Sequence, residues 1–95
     1  MDTDLLMEAG ERGIHLLFET ETIAEAYRQD ADRLREALAG RLEEVHFVIR
    51  SVIKLDDANA ARDYIAGLAP ALRHILVLLY FELLDSRLRQ HPTHH

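Results

Sequence analysis

The chain has 95 residues, 48% hydrophobic and 29% charged, which suits one folded domain with a modest core and lies outside the composition of disordered chains. Seventeen acidic against eleven basic residues give a formal net charge of −6, which repels phosphate backbones and anionic membranes, so neither nucleic acid nor membrane is an expected partner. With no cysteine, disulfides and thiolate metal sites are excluded, and without a leader-like segment or an eighteen-residue apolar run the chain reads as cytoplasmic.

No stretch alternates apolar and polar residues as a half-buried strand does, so the expected class is all-α, with residues 1–90 as one helical domain and 91–95 as a disordered tail. Asp2 or Thr3 can cap a first short helix, whose apolar patch is Leu5, Leu6 and Met7 and which ends at Gly10 and Gly13 as a lid or arm. A stripe then runs through Leu16, Thr20, Ile23, Tyr27, Ala31, Leu34, Leu38, Leu42, Val45, Ile49 and Val52. Only Thr20 in it is polar, and the mean step equals the α-helical repeat. That pattern predicts one long helix over residues 14–55, with Gly40 costing about 1 kcal/mol and bending the helix; a break at Gly40 is the alternative.

Asp56-Asp57-Ala58-Asn59 supplies three capping residues in four positions and places the main reversal there. A short helix over 60–67 follows, and Pro70 suits the first turn of the last helix because its missing N–H would be unpaired there anyway. Beyond it, Ile75-Leu76-Val77-Leu78-Leu79-Tyr80-Phe81 is apolar all round and needs more than one covering helix. Burying these seven at about 1.5–3 kcal/mol each gives upward of about 10 kcal/mol before entropy. The lengths then predict a long antiparallel hairpin with a kinked second arm. Two copies would join as a homodimer in a four-helix bundle, with Leu72, Ile75, Leu76, Leu79, Tyr80 and Leu83 in the interface.

Charge four residues apart, as in Glu8 with Arg12, Arg28 with Asp32 and Asp85 with Arg89, reads as ordinary helix solvation. Residues 19–36 hold six acids and three bases with few large apolar groups, so this arm is expected to pack loosely, and Ile23, Tyr27 and Leu34 on it are the candidate face for a second protein. Glu43-x-x-His46 puts a carboxylate and an imidazole on one helix face, the pattern of carboxylate-bridged metal sites in ferritin-like bundles. It supplies two ligands, and a boundary histidine is the simpler reading, so no cofactor is expected.

Asp85-Ser86-Arg87-Leu88-Arg89-Gln90 closing a helix, with Arg41 and Lys54 on an earlier one, resembles the all-helical chorismate mutases. The resemblance would imply an intertwined helical dimer that holds a dicarboxylate with Arg and Lys. The first-helix Arg of that family would fall at Ala24, and the spacing from Arg41 through Lys54 to Arg62 departs from its pattern, so the family is not assigned. Arg41-x4-His46 is similar to an Arg–His spacing of some helical ribonucleases, a pair that arises readily in any helix rich in both. The sequence thus predicts a regulator, adaptor or chaperone-like protein that binds another protein through helix faces. The alternative is a metal-binding or small-molecule enzyme using Glu43, His46 and Glu82.

Overall fold

The structure, a computed structural model, describes residues 3–90, in which all regular elements are helices. They are α1 (Thr3–Glu11), α2 (Thr20–Tyr27), α3 (Ala31–Ala39), α4 (Leu42–Ile53), α5 (Ala58–Ala66) and α6 (Pro70–Gln90). The expected tail and Asp2 as a cap lie outside the described residues.

Local chemistry accounts for four of these boundaries. Helix α1 closes in a Schellman motif: Gly13, at φ 86°, donates to the Gly10 carbonyl, and Ile14 donates to that of Ala9. Asp30 caps α3 by accepting from the Asp32 N–H at 2.9 Å, and Asp57 caps α5 by accepting from the Ala60 N–H at 2.8 Å. Pro70 opens α6, and from its first turn Arg73 donates to the Leu68 carbonyl at 2.7 Å in the connection after α5.

The long helix predicted over residues 14–55 does not form; it divides into α2, α3 and α4, separated at 28–30 and at Gly40–Arg41. The stripe members Thr20, Tyr27, Ala31 and Leu42 are exposed, and all four stand at helix ends, so the periodicity was continuous where the helix was not. The described residues measure 42 Å along their longest axis, short of the roughly 60 Å a 42-residue helix would need. An extended hairpin is therefore not the architecture of this chain.

Helix α6 is the axis around which the others pack. One apolar cluster joins Val77, Tyr80 and Leu84 of α6 to Phe18, Ala26, Val52, Ala61 and Ile65; a second joins Leu72 and Ile75 to Leu34 and Val45. Ile75 is 0% exposed, and Leu76, Val77 and Tyr80 are buried as well. The expectation that several helices cover residues 75–81 holds, but they come from the same chain. A second copy is not required to shelter the belt, because breaking the long helix into three lets its pieces wrap α6 on several sides.

Candidate functional site

Opposite faces of α6 each form the floor of a groove. At 100° per residue, Leu76, Leu79, Tyr80, Leu83 and Arg87 point to one side, and Val77, Leu78, Phe81, Glu82, Asp85 and Arg89 to the other. The first set lines an apolar groove of about 310 Å³, half open to solvent. Its walls are Thr3, Leu6 and Met7 from α1, Ile49, Val52 and Ile53 from α4, and Ile65 from α5, with Leu17 and Phe18 from the connection before α2. Apart from Thr3, the Tyr80 hydroxyl and Arg87, this lining carries no polar side chain. The second set lines a groove of about 540 Å³ with Tyr27, Gln29, Leu34 and Arg35 from the region of α2 and α3.

The apolar groove is built by close packing of α1 on α6. Gly10 sits where a Cβ would come within 2.5 Å of the Tyr80 hydroxyl and 2.9 Å of a Leu84 methyl, so only glycine lets the two helices approach this closely. The Tyr80 hydroxyl pairs with His15 Nδ1 at 2.8 Å, and the His15 ring packs edge-on against Tyr80 and Phe81. Burial pushes the Tyr80 phenol above its ordinary pKa. At one end Arg87 donates to Glu11 at 2.8 Å and lies 3.5 Å from Asp4. The hydrogen bond to Glu11 holds its guanidinium above the ordinary value against some desolvation, and the charges of Glu11, Asp4 and Glu8 add to this.

Four of the six residues expected at an oligomer interface, Leu76, Leu79, Tyr80 and Leu83, line the apolar groove; the other two, Leu72 and Ile75, are buried against α3 and α4. Leu83 remains 58% exposed, and Ile53, which also lines the groove, is exposed too. The three residues expected to bind a partner are not brought together as one exposed face. Tyr27 is 67% exposed and rests on Phe81 at 5.5 Å, Leu34 is buried in the core, and Ile23 is half-buried against the cluster around Tyr80. Tyr27 and Leu34 nevertheless line the same charged groove.

Glu43 and His46 are both exposed on α4, and Glu82 lies on α6 with Arg35 at 3.6 Å. Among the described residues no group of three His, Cys, Asp or Glu side chains stands close enough to hold a metal ion. Arg41 and Lys54 flank opposite ends of α4, roughly 20 Å apart, and so do not converge on one small anion. His74, by contrast, is 8% exposed, with Nε2 unpartnered among the described residues. No described helix is long and apolar enough to cross a membrane.

Sequence reasoning missed Ile53, Ile65 and Arg87 as site residues. Ile53 lies off the stripe, although beside the stripe members Ile49 and Val52 it widens the same apolar face of α4. Nothing in the sequence signals that Arg87 lies beside α1, some eighty residues away along the chain. No family model, curated protein or solved structure matches the chain.

Proposed function

We propose that this protein is an adaptor or regulator that takes up an amphipathic helix of another protein in the apolar groove between α1, α4, α5 and α6. The observation that carries this is the groove itself: a concave, almost wholly apolar surface with Leu83 and Ile53 of its lining exposed. A helix presenting apolar residues at i, i+3, i+4 and i+7 fills such a surface without needing polar groups on the floor. A small polar substrate would need convergent donors and acceptors to fix its orientation, and the charged group of the lining, Arg87, is already engaged by Glu11 and Asp4.

Each partner side chain that leaves water in the groove would contribute about 1.5–3 kcal/mol, so a few anchors suffice for a specific complex. The test is retention of a partner from the native host by the immobilised chain, compared between wild type, Leu83→Asp and Tyr27→Asp. Leu83 is exposed, so its replacement leaves the fold intact. A protein retained by wild type and by Tyr27→Asp, but held at least about tenfold less tightly by Leu83→Asp, supports the groove. A partner lost with Tyr27→Asp and kept with Leu83→Asp would move the binding face to the charged groove and defeat this proposal.

A further inference from the structure

We infer that the helix received by the apolar groove is the C-terminal end of its own chain, with the terminal carboxylate set against Arg87. This rests on the groove reading and adds the direction and chain position of the partner segment. The lining residues of α6 run from Leu76 to Arg87, roughly 16 Å at 1.5 Å per residue, which matches about three turns of a docked helix. Along that length the Tyr80 hydroxyl is taken up by His15 and Thr3 carries no charge, so the one charged group of the lining is Arg87, the last of the α6 residues in it.

A guanidinium donates and never accepts. Nε of Arg87 donates to Glu11 at 2.8 Å and Nη1 lies 3.5 Å from Asp4, whereas Nη2 has no hydrogen bond or ion pair among the described residues, and the side chain is 28% exposed. That nitrogen tells the two ends of a helix apart. A first turn brings unpaired N–H groups and the positive end of the dipole, which a cation repels; a last turn brings unpaired carbonyls and the negative end, which accept from it. A terminal carboxylate accepts more strongly still, and a chain that stops at Arg87 need not pass the tie that Arg87 makes between α6 and α1. One free nitrogen cannot orient a small polar molecule, but a helix already seated by its apolar side chains needs only this contact to fix its direction, parallel to α6. Glu11 competes for the same guanidinium, so the contact is worth a modest factor that grows when Glu11 loses its charge.

Two synthetic peptides of about three turns test this, each held helical by a hydrocarbon staple and alike in a Leu face at i, i+3, i+4 and i+7. They differ only in the last group, a free carboxylate in the first and an amide in the second. Binding to the full chain is read by fluorescence anisotropy at low and high salt, with circular dichroism confirming that each protein variant is folded. The carboxylate peptide binds roughly two- to fivefold more tightly, and the difference narrows as salt is added. Glu11→Gln, at an exposed position, widens it, and Arg87→Gln abolishes it. Equal binding of both peptides that is lost with Leu83→Asp, or a preference that survives Arg87→Gln, overturns the terminus assignment and leaves the groove reading standing. If neither peptide binds, both the groove reading and this inference fall. A dimer in light scattering that Leu83→Asp dissolves would seat a second copy in the groove and likewise overturn the inference.

Discussion

The two grooves beside α6 share one helix and differ in nearly everything that governs recognition. The apolar groove is lined by residues of the main cluster, among them Val52, Ile65, Leu76 and Tyr80, so its shape is fixed by the core itself. The charged groove is rimmed by exposed ion pairs, Arg35 with Asp32 and Glu82 and Arg89 with Asp85, whose side chains are free to rearrange in water. A rigid apolar concavity can store binding energy, whereas mobile surface charges mainly steer and select. The difference teaches where to expect affinity on this molecule: on the side of Leu83, with Tyr27 on the poorer side.

Three perturbations can break or sharpen that contrast. The largest effect is expected from Ile65→Ala, which removes buried methyl groups from the wall of the apolar groove and should cost about 2–5 kcal/mol in urea denaturation. A cost below about 1 kcal/mol would show that this wall is not part of the core. A smaller effect concerns Tyr80, whose buried phenol is held above its ordinary pKa. The folded state then keeps this proton longer than the unfolded chain, so its contribution is complete below the ordinary tyrosine range and declines as pH rises through and beyond it. Urea midpoints measured across that range should fall for wild type and fall less for Tyr80→Phe; parallel curves would remove Tyr80 from the account. The smallest change belongs to the charged groove, where Glu82→Gln should cost no more than roughly 0.2–1 kcal/mol, an amount that added salt removes. A larger, salt-resistant loss would mean that this side is as firmly built as the other.

Much of the fold can be read from the residues. The start of α5 at Asp57, the opening of α6 at Pro70 and the all-round burial of Ile75 follow from capping, proline chemistry and apolar content, each a local property. The break at 28–30 escaped, and the one at Gly40 stood only as the alternative, because a periodic stripe records the phase of a face and says nothing of continuity. At the first break Asp30 turns its carboxylate onto the Asp32 N–H, and Asp32 pairs with Arg35 at 3.4 Å where the spacing suggested Arg28. At the second, Gly40 and Arg41 end one helix and begin the next without a side-chain cap to announce it.

The candidate site was legible only in part, and for a related reason. Leu76, Leu79, Tyr80 and Leu83 stand out on α6 because they are apolar, but their role depends on which helices arrive beside them. That is decided by the two breaks and by Gly10, whose missing side chain lets α1 settle against Tyr80 and Leu84. Phe18, before α2, and Ile65, on α5, enter the same groove from segments separated by nearly fifty residues, a juxtaposition that no spacing rule reveals.

The position of α6 in the chain gives the molecule a direction in time. During synthesis the first five helices emerge from the ribosome before their common support exists, and contacts such as those of Val48 and Val52 with Ala61 and Ile65 cover only part of their greasy sides. Only when residues 70–90 follow can the pieces gather, so assembly is a single late event, and nascent chains halted upstream of Pro70 are natural clients for chaperones.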